Sequence, residues 1–212
     1  MIHCACTSHD GRKRVVMTGG PGAGKTAVLE LVHHYFCRHV QVLPESAGIL
    51  FGGGFPRGSS ALARRSAQRA IFHVQREIET MTSEIDAAVL LCDRGTVDGM
   101  AYWPGPDDFF TTVGTSRQGE LARYDAVIHL RTPADGNGYN RSNPLRVETA
   151  AEAVAIDRRI AEAWSGHPRV HVVDSTPSFL TKARQAIAIL REELPECCRR
   201  QLPPAIPPAG RT

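Results

Sequence analysis

The sequence predicts an α/β fold, a three-layer sandwich in which about five parallel strands lie between two layers of helices. Two observations favour this fold class. Five short apolar segments occur along the 212 residues, and they lack the apolar–polar alternation of a sheet with one solvent-exposed face. Segments with helical periodicity separate them, which is the order that crossover connections of a parallel sheet produce.

The individual elements follow from these patterns. Between the second and third strands, a long segment carries alanine, valine and isoleucine at helical spacing on one side. Arg65 and Arg69 lie on the opposite side of that helix, where they form either a solvated face or one wall of a substrate site. Residues 15–18, 40–43, 87–92, 126–130 and 170–173 are the predicted strands, and residues 25–38, 61–83, 149–164 and 178–193 are the predicted helices.

Composition excludes several classes of protein. No apolar run approaches the roughly 20 residues that cross a bilayer, and the polar residues 1–14 contain no signal-peptide core. We therefore expect a cytoplasmic protein without a membrane partner. The net charge is +3 and the arginines are scattered along the chain, which argues against a nucleic-acid partner because such proteins cluster their basic residues. The six cysteines lack zinc-ligand spacing, so we interpret them as reduced and non-catalytic.

Residues 19–26, GGPGAGKT, match the complete P-loop pattern G-x-x-x-x-G-K-[ST]. The match follows an apolar strand and opens a helix, as phosphate binding requires, because backbone N–H groups and the helix N-terminus then face the anion. Lys25 supplies a positive charge to the β- and γ-phosphates, and the Thr26 hydroxyl is a Mg²⁺ ligand. The sequence thus predicts an ATP site formed by Gly20, Pro21, Gly22, Ala23, Gly24, Lys25, Thr26 and Ala27.

Carboxylates follow two other predicted strands. Asp93 ends the third strand and is either a second Mg²⁺ ligand or a cap of the following helix. Glu45 follows the second strand. It is either a general base that accepts a hydroxyl proton, provided that strand two lies near the P-loop strand, or a surface residue.

A long segment after the fourth strand, residues 132–148, is predicted to be a lid. Its arginines, Arg141 and Arg146, either stabilise charge on the transferred phosphoryl group or are solvated. We accordingly divide the chain into a flexible N-terminus (residues 1–13), a P-loop nucleotide-binding domain (14–194) and a disordered proline-rich tail (195–212).

GGPGAGKT, LPE at strand two, GGFPRG, AQRAIFHVQREIE and CDRGTVDGMAYW together resemble a family of small bacterial AAA-like P-loop domains. That family is similar to the ribosylnicotinamide kinase domain of NAD-biosynthesis regulators and, more distantly, to deoxynucleoside kinases. The resemblance implies that Glu45 is the base, that Asp93 and Arg94 form an acidic–Arg pair, and that Arg141 and Arg146 are lid arginines. It also implies that Gln68 or Gln75 reads a nucleobase. The chain departs from deoxynucleoside kinases at Gly95, which follows Arg94 where those enzymes usually have serine.

The favoured hypothesis is a Mg²⁺- and ATP-dependent kinase that phosphorylates a hydroxyl of a nucleoside-like or other small molecule. Its catalytic residues are then Lys25, Glu45, Asp93, Arg94, Arg141 and Arg146, with acceptor contacts from Arg57, Arg65, Gln68 and Arg69. The alternative is a nucleotide-switched ATPase that acts as a regulatory binding module, and a nucleic-acid kinase ranks below both. The sequence also leaves open whether the chain forms a homodimer.

Overall fold

A computed structural model describes residues 11–133 and 149–200. It confirms the α/β three-layer fold: five parallel strands form one sheet in the order β2-β3-β1-β4-β5. The strands are β1 (Lys13–Thr18), β2 (Val40–Leu43), β3 (Val89–Asp93), β4 (Ala126–Leu130) and β5 (Val170–Val173). β1 therefore lies at the centre, and its carboxyl end opens into the P-loop. No helix within the described residues is both long enough and apolar enough to span a membrane.

Helices cover both faces of this sheet. Ser60 caps the long helix by accepting a hydrogen bond from the Ala63 backbone, and Thr149 forms a reciprocal capping box with Glu152. A 3-10 segment, Thr96–Tyr102, follows β3 directly. The helices are α1 (Lys25–Tyr35), α2 (Ser46–Gly52), α3 (Ala61–Met81), α4 (Phe109–Thr112), α5 (Arg117–Leu121), α6 (Ala150–Ala163), α7 (Phe179–Glu193) and α8 (Glu196–Arg199).

Alternate residues of the central strand enter two separate cores. Val15 and Met17 pack with α1 and α7 on one face, whereas Val16 packs with α3 and α6 on the other. All three side chains are fully buried. This two-sided burial explains why the strands are continuously apolar in the sequence.

Strand two occupies a different position from the one on which the Glu45 hypothesis depended. β2 pairs with β3, and β3 pairs with β1, so β2 is an edge strand one place removed from the P-loop strand. The carboxyl ends of β1, β2 and β3 nevertheless open on the same edge of the sheet, because all are parallel.

The packed part of the chain extends beyond both predicted domain boundaries. β1 begins at Lys13, and Arg12 already donates hydrogen bonds to the carbonyl oxygens of Ala87 and Thr82. At the other end, Cys198 of α8 is 1% exposed and belongs to the same core as α1 and α7. Residues 195–200, which the sequence analysis assigned to the tail, thus include a helix that packs against the core.

Candidate nucleotide and acceptor site

The loop between β1 and α1 is shaped by glycines. Gly19 has φ of +135°, and a Cβ atom there would lie 2.1 Å from the Leu130 carbonyl oxygen, so no side chain fits. Gly24 caps α1 in a left-handed conformation, with φ of 91°. Lys25 Nζ donates hydrogen bonds to the carbonyl oxygens of Gly19 (2.8 Å) and Gly20 (3.1 Å). The ammonium group is thereby held within the curve of the loop, at the positive N-terminal end of α1.

Buried side chains from α6 and α7 fasten the back of this loop. The Asp157 carboxylate accepts a hydrogen bond of 2.9 Å from the Gly20 backbone N–H and lies 2.9 Å from His129 Nε2. Lys182 Nζ donates to the Ala23 carbonyl oxygen at 2.8 Å. These contacts fix the loop from behind, so its shape is set before any ligand binds.

Asp93, the last residue of β3, has the environment of a cation ligand. Its Oδ1 atom is buried and finds no hydrogen-bond partner within residues 11–133 and 149–200. Burial, followed by repulsion from the Glu45 carboxylate, raises the pKa of Asp93 to about 6. Thr26 lines the same cleft and is exposed. An unpartnered carboxylate oxygen and an accessible hydroxyl are oxygen donors of the kind that Mg²⁺ takes, so these residues fit the ion.

Arg94 has the one positive φ among the non-glycine residues of the described chain, 72°. Such a conformation costs energy and often marks a functional site. Its Nε donates to Glu45 Oε1 at 2.6 Å, and its Nη1 donates to the Gly19 carbonyl oxygen at 3.2 Å. Burial alone would raise the pKa of Glu45, but attraction to Arg94 and then Lys25 outweighs burial, so the pKa lies below its usual range. Glu45 is therefore ionised at the mouth of the P-loop.

Asp98 is a second carboxylate beside Arg94. Its buried carboxylate accepts hydrogen bonds from Thr18 Oγ1 (2.8 Å) and Trp164 Nε1 (2.6 Å), and it lies 3.6 Å from Arg94 Nη1. The same tryptophan accounts for Gly95, because a Cβ atom there would lie 2.8 Å from the indole ring. A serine at this position would collide with Trp164.

These groups form one end of a cleft of about 750 Å³. The cleft continues past the P-loop between α2, the segment after α2, α3 and α6, so it has room beyond the phosphate site for a second small molecule. Its charged and polar lining includes Glu45, Arg57, Arg64, Gln68, Asp93, Arg94, Asp98, Glu152 and Arg159.

Some of the predicted phosphate-binding residues line the cleft, and others lie beneath the loop or in the helix that follows it. Ala23 is buried in the core beneath the loop, and Ala27 lies in the first turn of α1. Arg141 and Arg146, the expected lid arginines, lie outside the described residues. The P-loop residues that line the cleft are Pro21, Gly22, Lys25 and Thr26.

Two of the four predicted acceptor residues, Arg57 and Gln68, line the cleft. Gln75 also reaches it, but the Gln75 amide is already engaged. It accepts a hydrogen bond from Ser46 Oγ (2.7 Å) and donates one to Glu79 (3.0 Å). Gln68 is thus the glutamine of α3 better placed to contact an acceptor.

The other two, Arg65 and Arg69, do not line the cleft. Arg65 donates to the Pro104 carbonyl oxygen at 3.1 Å and pairs with the Asp107 carboxylate at 2.6 Å. Arg69 is exposed and contacts Ser66 Oγ at 3.3 Å. The cleft faces a different sector of α3 from the one these residues share, because α3 packs on both α2 and the 3-10 segment.

Four residues of the site were missed by sequence reasoning: Asp98, Asp157, Arg64 and Arg159. Asp157 carried a visible signal, since an acidic residue beside Ile156 on the apolar face of α6 requires a buried partner. Asp98 stands four residues after Arg94, a weaker hint. Arg64 and Arg159 carried no signal, because their role as lining depends on how α3 and α6 are oriented around the cleft.

Comparisons with known proteins agree with this fold. A solved structure of deoxyadenosine kinase from M. mycoides, with products dCMP and a flexible dCDP bound, has a TM-score of 0.58 and 14% sequence identity over 84% of this chain and 99% of that chain. A second structure of that kinase, with bound dATP, has a TM-score of 0.57 and 14% identity over the same shares. None of the curated proteins compared with the chain matches it significantly. A family model described as AAA domain matches residues 14–181, and the chain therefore belongs to that family of P-loop proteins.

Proposed function

We propose that the protein is a kinase that transfers the γ-phosphoryl group of ATP to a hydroxyl of a small, nucleoside-like acceptor. The observation that carries this proposal is the Glu45–Arg94 pair, bonded at 2.6 Å, which lines the cleft beside the P-loop. An acceptor hydroxyl loses a proton during the transfer, and an ionised carboxylate beside the P-loop can take it. The fold similarity to a deoxyadenosine kinase supports the same proposal.

Each group of the site has a role in such a transfer. Lys25 Nζ exchanges its two carbonyl partners for β- and γ-phosphate oxygens, and the backbone N–H groups of the loop bind the same oxygens. The acceptor oxygen forms a bond to the γ-phosphorus while the bond to the bridging oxygen of ADP breaks. Glu45 takes the hydroxyl proton, and Arg94 orients that carboxylate.

Thr26 and Asp93 are the residues that would hold Mg²⁺. When bound, the ion neutralises phosphate charge and orients the phosphate oxygens. Asp98 is a positioning residue, because it is buried and acts through its contact with Arg94.

The lining indicates what kind of acceptor fits. Gln68 offers both a donor and an acceptor to a planar heterocycle, and Ile71 and Phe72 line the same part of the cleft, which suits a nucleobase. Arg57, Arg64 and Arg159 favour an acceptor rich in oxygen atoms, such as a ribose or a phosphorylated ribose.

A panel of nucleosides, nucleoside monophosphates and vitamin ribosides, each incubated with Mg²⁺ and ATP, tests the proposal by mass spectrometry of products. We expect at least one phosphorylated acceptor, formed in equal amount to ADP and absent with the Lys25→Ala variant. If no member of a broad panel is phosphorylated while ADP still accumulates slowly, the kinase proposal fails. The result would then favour the nucleotide-switched binding module.

A further inference from the structure

Three metal-ligating side chains meet on the sheet face that carries α1 and α7, outside the cleft lining. Cys37 and His39 lie in the turn between α1 and β2, and Cys198 comes from α8, 159 residues after His39. His39 Nδ1 is 3.8 Å from Cys37 Sγ and 3.7 Å from Cys198 Sγ. The three ligand atoms all lie within 4.8 Å of one another.

The two thiols converge on one nitrogen atom. A single imidazole nitrogen has one in-plane position for a hydrogen bond, as donor or as acceptor, so His39 Nδ1 cannot serve both thiols well. Both sulfur atoms nevertheless converge on that one nitrogen from different parts of the chain. A cation placed among the three atoms contacts all of them at once.

The distances fit a tetrahedral ion. Zn²⁺ binds thiolate sulfur at about 2.3 Å and imidazole nitrogen at about 2.0–2.1 Å. With tetrahedral angles these bond lengths separate sulfur from nitrogen by about 3.6 Å, close to the observed 3.7 Å and 3.8 Å. Two thiolates on such an ion would be about 3.8 Å apart, and the two sulfur atoms lie within 4.8 Å of each other, so they need to approach by at most about 1 Å.

The charge balance also suits the surroundings. Cys37, His39 and Cys198 are all at most 3% exposed, and Phe36 and Leu194 belong to the core that contains both cysteines. Two thiolates, a neutral imidazole and a divalent cation sum to zero charge, which is the arrangement that a buried apolar site tolerates best. A monovalent cation would leave the cluster negative.

We propose that Cys37, His39 and Cys198 bind a thiophilic divalent cation of the Zn²⁺ type. The ion would join the short terminal helix α8 to the turn that precedes β2. The sequence concealed this site because its ligands are split between Cys37-x-His39 and a distant cysteine, a spacing that no zinc-binding pattern contains. A tetrahedral ion keeps one further position beyond these three ligands, for water or another donor.

Metal affinity of the full-length, reduced protein tests the proposal in the absence of nucleotide and Mg²⁺. Zn²⁺ is titrated into chelator-treated protein against a chromophoric competitor, and Co²⁺ is used separately for absorption spectra. We expect one Zn²⁺ per chain and a thiolate-to-cobalt charge-transfer band. Cys37→Ser and Cys198→Ser should each weaken binding by more than the roughly 10–100-fold loss that outer-shell changes cause. Cys92→Ala is the matched control and should bind as the parent protein does, because Cys92 lies in the other core.

A second measurement needs no variant and therefore does not depend on how well the variants fold. Alkylation of the parent protein is followed by peptide mapping with and without Zn²⁺. We expect Zn²⁺ to slow modification of Cys37 and Cys198 and to leave Cys92 unaffected. Absence of a charge-transfer band, or equal affinity in all variants, would overturn the proposal. So would a Cys37–Cys198 disulfide that forms under mild oxidation in protein unable to bind Zn²⁺, since the cluster would then be a redox pair.

Discussion

The two ends of the cleft differ in how their side chains are held. At the phosphate end, Asp157 and Lys182 fasten the loop from behind, and Lys25 is bonded within it. At the acceptor end, Arg64 is exposed, and the exposed Arg57 guanidinium lies over the Phe51 ring, 4.1 Å from its centroid. The difference indicates that the phosphate end is preorganised for one ligand group, whereas the side chains of the acceptor end can adjust to the substrate. Each prediction below tests one side of this contrast.

The largest effect is expected at Lys25. Lys25→Ala should abolish measurable nucleotide binding and turnover, because the loop loses the one ammonium group that its shape encloses. Titration calorimetry with ATP and Mg²⁺ measures the binding. Lys13→Ala is the matched control, since Lys13 pairs with Glu193 at the far end of β1. Unchanged ATP affinity in Lys25→Ala would remove the basis for assigning the phosphates to this loop.

Glu45→Gln should separate the two ends of the cleft. The substitution keeps the size of the side chain and its contact with Arg94 but removes the proton acceptor. We expect kcat for phosphoryl transfer to fall roughly 100- to 10,000-fold, while ATP affinity changes by less than about threefold. Glu77→Gln, an exposed change on α3, is the control. If ATP affinity collapses and kcat is kept, Glu45 belongs to the phosphate end.

The phosphate end was the more predictable from sequence because its chemistry is local. Gly19, Gly24 and Lys25 lie within one short loop, and the left-handed or side-chain-free positions there require glycine whatever surrounds them. The continuous apolar strands predicted a sheet covered on both faces for a similarly local reason. Asp93 was predicted because it ends a strand of this sheet, whereas Arg94 was predicted from the family resemblance.

The lining of the acceptor end could not be predicted from the sequence, because it depends on contacts between elements that are far apart in the chain. Arg64 and Arg65 are neighbours in sequence, yet the first lines the cleft and the second pairs with Asp107. Helical periodicity places residues on sides of α3, but it does not say which side another element covers. Cys198 illustrates the same limit, since only the packing of α8 brings it to His39.

Proton uptake on nucleotide binding follows from the burial of Lys25. Burial, and then repulsion from Arg94, lower its pKa to about 8, so the free protein loses this charge as the pH rises through that value. ATP needs the charged form and must therefore draw a proton at higher pH. We expect apparent ATP affinity to fall by up to about tenfold per pH unit above about pH 8. Calorimetry in two buffers of different ionisation enthalpy, between about pH 7 and about pH 9.5, counts the protons, and a constant count would contradict the prediction.

The smallest effect, and the sharpest test of the acceptor end, comes from a pair of arginines on α3. Arg64→Gln should raise the KM for the phosphoryl acceptor roughly 5- to 20-fold, because a charge-assisted contact in the cleft is lost, and should leave the KM for ATP unchanged. Arg69→Gln makes the same chemical change five residues away, where the side chain contacts Ser66 at 3.3 Å, and should alter neither constant. Steady-state kinetics with the acceptor identified by the panel measure both. If Arg69→Gln is the damaging change, the acceptor binds on the outer face of α3, and the open end of the cleft has another use.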